Sequence, residues 1–209
     1  MSEQRSAEWH QERLGNLTAS RVADMLTRTK TGWGASRGNY LAELVLERLT
    51  GVPTEGFSSA AMQWGTDHEP DARAAYEYRT NATVELVGFV PHPVIPMSGA
   101  SPDGLVGDNG LVEFKCPNSA THMETLTAGA VPEKYRLQMQ WQMACTGRDW
   151  CDFVSFDPRF PEEMVMFITR VDRASAKITE IENEAVLFLN EVEAQVRLLR
   201  QRYEMKTAA

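Results

Sequence analysis

Long apolar runs are missing from this chain. No 18 consecutive apolar residues occur among its 209, which excludes a membrane-spanning helix. The opening segment, MSEQRSAEWHQERLG, offers no apolar core for a secretion signal. A cytoplasmic protein with no membrane partner is expected. Cysteine is scarce: Cys116, Cys145 and Cys151 are odd in number and lack the paired spacing of a zinc site or a disulfide framework. Reduced thiols are expected, with Cys116 a small buried residue. The histidines, His10, His68, His92 and His122, share no spacing, and none is assigned to a metal. Positive charge is in deficit, 21 basic residues against 29 acidic for a net charge of −8. That balance argues against a protein that coats DNA nonspecifically, because such affinity comes from Lys and Arg on phosphates.

Within this deficit one segment is basic. Residues 13–37 carry Arg13, Arg21, Arg28, Lys30 and Arg37 against Asp24. An acidic body with a local basic lining suits an enzyme that grips DNA in a channel, and it suits a small-molecule enzyme equally well. With 43% hydrophobic residues and no repeats or linkers, the chain is expected to form one domain over residues 1–209.

The richest stretch is SPDGLVGDNGLVEFKCP, residues 101–117. Asp108-Asn109-Gly110 lies between two apolar runs, and Asn-Gly in that setting signals a hairpin. A strand's period of two then puts Glu113 and Lys115 on one face and Phe114 on the other. Asp103, near the end of the partner strand, can approach the same face. Two carboxylates suit a hard divalent ion such as Mg²⁺, and a nearby Lys can orient or deprotonate water and stabilise phosphate charge. Acid-x-Lys alone is a loose pattern. It recurs at Glu204-Met205-Lys206, so the hairpin context carries the signal, and a plain cross-strand ion pair is the alternative.

The rest of the chain reads as α+β, helices flanking a sheet. Ser6 caps a helix through Arg13 that Gly15 stops, and Thr18 caps a second helix to about Leu26. Ser20 falls in its first turn, where free amides, a hydroxyl and a nearby Arg could seat a phosphate. Residues 27–39 read as a mobile basic loop over DNA, with Arg28 or Lys30 on backbone phosphates. Ser36 caps a helix ending at Gly51. Residues 58–79 read as a helix, interrupted near Gly65 and restarted by Pro70, and residues 83–90 as a strand. Ser119 starts a helix closed near Gly129. Pro132 opens another to Cys145, on which Tyr135, Gln138 and Gln142 share a face. Strands at 150–156 and 163–171 precede a long helix, capped by Asp172 and running to about Met205.

These residues resemble the phage lambda exonuclease family, the YqaJ-like viral recombinases of the PD-(D/E)xK nuclease superfamily. The likeness rests on Ser101-Pro102-Asp103-Gly104 followed by Glu113-Phe114-Lys115-Cys116-Pro117. It extends to Trp9-His10, Arg13-Leu14-Gly15, Thr18-Ala19-Ser20, Trp64-Gly65, Glu69, Asp71-Ala72-Arg73 and Gln138-x-Gln140, covering residues 9–160. It implies a restriction-endonuclease-like core with a central mixed β-sheet, and a Mg²⁺-dependent 5′→3′ exonuclease that leaves 3′ overhangs. Asp103, Glu113 and the Phe114 carbonyl would hold two Mg²⁺ ions, with Mn²⁺ expected to substitute. Lys115, Glu69 and Gln138 would complete the catalytic group, a surface acid and a solvated glutamine being the alternatives for the last two. Arg13, Ser20 and Ser101 would hold the 5′-phosphate, the alternative being that Arg13 is a surface helix residue and Ser20 a bystander. Met62 would wedge the terminal base pair, a core methionine being the alternative. The further auxiliary acid that the family often places before Ser-Pro-Asp is replaced by Pro93. The likeness also implies a ring-shaped homotrimer, a phage single-strand annealing protein as partner, and work in the cytoplasm of a bacterial host as a phage or prophage protein. A restriction-type or structure-specific endonuclease on the same core and a non-catalytic DNA-end clamp are the rival readings.

Overall fold

Changes in apolar period mark the elements of the computed structural model, which describes residues 4–54 and 59–203. In chain order these are α1 (Ala7–Arg13), β1 (Leu17–Thr18), a 3-10 turn (Ala19–Arg21), α2 (Val22–Met25), β2 (Arg28–Thr29), β3 (Gly32–Trp33), α3 (Ala35–Thr50) and α4 (Ala60–Thr80). There follow β4 (Val84–Glu85), β5 (Val90–Pro91), β6 (Ser98–Ala100), β7 (Gly104–Val106), β8 (Gly110–Lys115), α5 (Ser119–Ala128), α6 (Glu133–Thr146), β9 (Trp150–Phe156), β10 (Met166–Asp172) and α7 (Ser175–Tyr203).

The main sheet has the order β10-β9-β8-β7-β4. It is mixed: β8 and β9 run parallel, and the other neighbours are antiparallel. A parallel pair needs a crossover, and α5 and α6 supply it. The strand alternation sorts β8 cleanly. Val112 and Phe114 pack with Val154 and Phe156 beneath Ala72 and Tyr76 of α4. Leu111 points the other way, to Phe153 and to Met139 and Met143 of α6. Glu113 and Lys115 share that second face, so α6 is the element laid over them. A small sheet, β1-β6-β5, joins a third core in which Leu17, Tyr40, Trp141 and Phe188 are buried between helices α3, α6 and α7. No described helix is long and apolar enough to cross a membrane.

The expected α+β class and the hairpin are present, but several boundaries shift for physical reasons. The hairpin loop is Gly107-Asp108-Asn109, since Val106 pairs with Gly110, and the left-handed residue is Gly107 (φ 54°). Gly110 is a strand residue that leaves room for the Trp150 ring, whose nearest atom would lie 2.1 Å from an added Cβ. Thr18 does not cap a helix to Leu26. It ends β1, pairs beside β6 and makes no side-chain cap bond, and a 3-10 turn and a single helical turn follow instead. The expected loop at 27–39 is the β2–β3 hairpin plus the start of α3, whose cap position is Gly34 and not Ser36.

The helix expected at 58–79 is α4. It is capped by Ser59 and continuous through Gly65 and Pro70, whose missing N–H falls at an exposed position. Residues 83–90 do not form one strand. Their two ends serve different sheets, β4 the large one and β5 the small one. Asp172 ends β10 opposite Trp150 and caps nothing. The start of α7 is served instead by Gln140, whose Oε1 accepts the Ala174 N–H at 2.9 Å. The expected end near Met205 lies outside the described residues.

Candidate active site

Asp103 stands immediately before β7, and its Oδ2 accepts the Phe114 N–H across the hairpin at 2.7 Å. Glu113, 1% exposed, accepts from the Lys115 ammonium at 2.5 Å on Oε1. Two amides from α6 meet the same carboxylate: Gln138 donates to Oε1 and Gln142 to Oε2, each at 2.6 Å. The i, i+4 spacing places both glutamines over one spot of the strand. Gln140, between them, faces away and donates to the Asp172 carbonyl at 2.8 Å.

The charges here do not balance. Burial pushes the Asp103 carboxyl well above the usual carboxylate range, and the nearby Glu113 and Glu69 push it further, against the pull of Lys115 and the Phe114 amide. For Lys115, burial alone would lower the pKa, but Glu113 and Asp103 outweigh it and the net shift is upward. The group is therefore an ammonium that can orient water and meet phosphate charge; it is a poor base. Burial, with Glu69 and Asp103 behind it, raises the Cys116 thiol to about 12, leaving it unreactive.

Glu69 reaches the site from α4 and pairs with Arg5 at 2.5 Å. Together with Met62, Gly65, Lys115 and Tyr135 they line a cleft of about 380 Å³. Met62 is 60% exposed there, so it is not a core methionine. Among the described residues no three His, Cys, Asp or Glu side chains converge as a metal cluster. The available donors are the Asp103 and Glu113 carboxylates and the main chain of Phe114. Hard oxygens with uncompensated negative charge fit a divalent ion such as Mg²⁺, which takes few protein ligands.

A second group lies beside the first. The Ser101 hydroxyl accepts from the Trp9 indole at 2.9 Å and from Arg13 Nη1 at 3.3 Å, and the Arg13 guanidinium sits 4.2 Å from the Trp9 ring centroid. Arg13 and the exposed Ser20 also line one cleft of about 190 Å³ with His10, Arg21 and Tyr40. Neighbouring acids there are already engaged: Glu43 by Arg21 at 2.7 Å, Glu47 by the Gly15 and Thr54 amides. Burial pulls the Arg13 pKa down. A guanidinium held by a hydroxyl and a ring is ready for an anion.

Arg13, Ser20 and Ser101 are thus brought together, as are Asp103, Glu113, Lys115, Glu69 and Gln138. Arg28 and Lys30 are not among them. Arg28 pairs with Glu184 on α7 at 2.9 Å and lies against Trp33, 3.7 Å from its centroid; Lys30 is exposed at the hairpin tip. Sequence reasoning missed Gln142, Arg5 and the anchoring role of Trp9. For Gln142 a signal existed, its shared helix face with Gln138.

A mixed sheet flanked by helices, carrying Asp103, Glu113 and Lys115 on one hairpin, defines the PD-(D/E)xK nuclease core. The YqaJ-like viral recombinase domain matches residues 8–149, and the chain belongs to that family. It is 52% identical to the alkaline exonuclease LHK-Exo from Laribacter hongkongensis, with a TM-score of 0.90 over 96% of this chain and 99% of that one. A structure of LHK-Exo with dAMP gives the same figures. A phage-related exonuclease of Haemophilus somnus 129PT, 15% identical, shares the fold at a TM-score of 0.68 over 90% of this chain and 96% of that one. An uncharacterized protein of Acanthamoeba polyphaga mimivirus is 25% identical over 73% of this chain; the match spans 29% of that longer protein.

Proposed function

We propose that this chain is a Mg²⁺-dependent exonuclease that digests one strand of linear double-stranded DNA from its 5′ end. It would leave 3′ single-stranded overhangs for phage recombination by strand annealing. The observation that carries this reading is the meeting of Asp103, Glu113 and Lys115 on one hairpin. The likeness to an alkaline exonuclease over nearly the whole chain supports it.

Asp103, Glu113 and the Phe114 carbonyl would hold two Mg²⁺ ions, with Mn²⁺ as a substitute. When bound, such ions polarise the scissile phosphate and acidify water. Lys115 aims the attacking water and offsets phosphate charge. Gln138 fixes the Glu113 carboxylate, and Glu69 closes the site from α4. Arg13, Ser20 and Ser101 grip the 5′-phosphate by charge-assisted hydrogen bonds, setting where the chain is cut. Met62, exposed at the cleft, wedges against the terminal base pair, and Lys30 reaches a backbone phosphate. A head-to-tail homotrimer ring around the DNA, a single-strand annealing protein as partner and a bacterial cytoplasm as setting complete the reading.

The test digests linear duplexes bearing a 5′-phosphate or a 5′-hydroxyl, and closed circles, with and without Mg²⁺. Rapid Mg²⁺-dependent loss of the 5′-phosphorylated strand is expected, with closed circles intact. Equal cutting of circles would replace the exonuclease with an endonuclease.

A further inference from the structure

Three glutamines alternate along α6, and their hydrogen bonding differs in a way that packing does not explain. Gln140 is satisfied at both ends of its amide, donating to the Asp172 carbonyl and accepting from Ala174. It joins α6 to the start of α7. Gln138 and Gln142 both address Glu113, one to each oxygen.

A carboxylate offers about four lone-pair directions. Oε1 of Glu113 receives two donors, Lys115 and Gln138. Oε2 receives Gln142, so one of its directions is left. Gln142 is wholly buried, 0% exposed, yet its own Oε1 has no hydrogen-bond partner among the described residues. Turning the amide over cures nothing, because it would aim one acceptor at another. A buried carbonyl without a donor weakens the fold, and what the residue gives in return is the charge-assisted bond of its amide N–H to the buried Glu113 carboxylate. What position 142 gains from glutamine is therefore its hold on Glu113 Oε2.

We propose that Gln142 is a positioning residue for cation binding: its amide occupies one direction of Glu113 Oε2, fixes the carboxylate's rotation and leaves a single direction of that oxygen for a divalent ion. Gln142 touches neither DNA nor ion. It sets the affinity of the site by acting through Glu113, as outer hydrogen-bond partners do in metal sites. This deepens the magnesium-nuclease reading and rests on it.

The test compares Gln142→Met and Gln142→Leu with Gln140→Met and the unaltered chain. Mg²⁺ and Mn²⁺ binding are measured by titration calorimetry without DNA, alongside melting temperature and digestion kinetics. Both position-142 variants are expected to melt at or somewhat below the unaltered chain, since the lost bond to the buried carboxylate is offset in part by loss of the unpaired carbonyl, and to bind Mg²⁺ about 10-fold or more weakly. Their KM for DNA should be unchanged at saturating Mg²⁺. Gln140→Met is expected to melt lower with its Mg²⁺ affinity intact. Unchanged Mg²⁺ affinity in either position-142 variant would overturn the proposal. An unaltered chain that binds Mg²⁺ but digests no linear DNA would sink the nuclease reading while the affinity comparison still decided the role of Gln142. An unaltered chain that binds no Mg²⁺ would overturn both.

Discussion

Neighbouring strands of the main sheet carry buried acids in opposite states. On β9, Asp152 is gripped by both arms of Arg170, at 2.8 and 3.0 Å, and by the Tyr76 hydroxyl at 2.8 Å. Just beyond that strand, Asp157 is held by Arg159 at 2.7 and 2.8 Å and by Ser119 at 2.8 Å. Burial would raise the Asp157 pKa, but those hydrogen bonds outweigh it and bring the carboxyl to about 2. Across the β7–β8 hairpin no such matching occurs. Asp103 and Glu113 share Lys115 and neutral amides, and Asp103 is pushed upward. Where the fold needs an acid for structure it supplies an arginine. Where it leaves acids short of positive charge, that deficit is the capacity to take up a cation.

The sharpest way to break this contrast is Asp103→Asn. The expected loss of digestion is on the order of 10³-fold, several kcal/mol of transition-state stabilisation, with DNA binding largely kept. Stability should move the other way. A carboxyl whose folded pKa lies above its usual 3.8 favours the fold most when protonated, below pH 3.8, and that favour is lost as pH rises through the folded value. Asn mimics the protonated form at every pH. In chelator at neutral pH the variant should therefore melt higher than the parent, and the gap should close in acid. A lower melting temperature with full activity would show that Asp103 is a structural acid like those of β9.

A second comparison is between two arginines. Arg13 meets a hydroxyl and an indole, whereas Arg28 is committed to Glu184. Arg13→Ala is expected to raise KM for 5′-phosphorylated ends by about 10- to 100-fold, the worth of one or two charge-assisted hydrogen bonds. KM for 5′-hydroxyl ends should hardly change. Equal losses on both ends would move the phosphate grip elsewhere.

How much of this was legible follows from how far each cause reaches along the chain. The hairpin was readable because alternation and turn chemistry act within a dozen residues, and the face shared by Glu113 and Lys115 followed from the strand period. The turn itself was placed slightly wrong because Gly110 answers to Trp150, a ring 40 positions away. The helix at Thr18 failed for a like reason: Thr18 is drawn into β1 beside β6, opposite Gly99, 81 residues on. Helical spacing put Gln142 on the Gln138 face, but that Glu113, 29 residues back, lies beneath it is a tertiary fact. Trp9 needs Ser101, 92 residues distant, to show its purpose.

The matched side can be tested in turn with Asp157→Asn. Arg159 is 45% exposed, so solvent screens most of the ion pair. What is lost amounts to a hydrogen bond or two, read as a small drop in melting temperature, with digestion little changed. The depressed pKa sets the sign of the pH effect. Its stabilisation is present above about pH 3.8 and is lost as pH falls through about 2, so the parent should lose more stability than the variant across that acid window.

The smallest effect expected is at the β2–β3 hairpin. Trp33 lies between two guanidiniums, Arg28 at 3.7 Å and Arg37 at 3.9 Å. Arg37 is 2% exposed and pairs with Glu191 at 2.7 Å, so the hairpin is fastened to α7 by residues whose charges are matched. Lys30, at its tip, lies in the open. Lys30→Ala should reduce the salt dependence of DNA binding by about the 0.9 unit that one phosphate contact contributes, whereas Arg28→Ala should leave that slope alone and lower stability by about 0.5 kcal/mol or less. The reverse order would mean that Arg28 leaves Glu184 for a phosphate when DNA arrives. Matched pairs on this side of the molecule would then be reserves of binding charge, and a paired cation could no longer be read as a structural one.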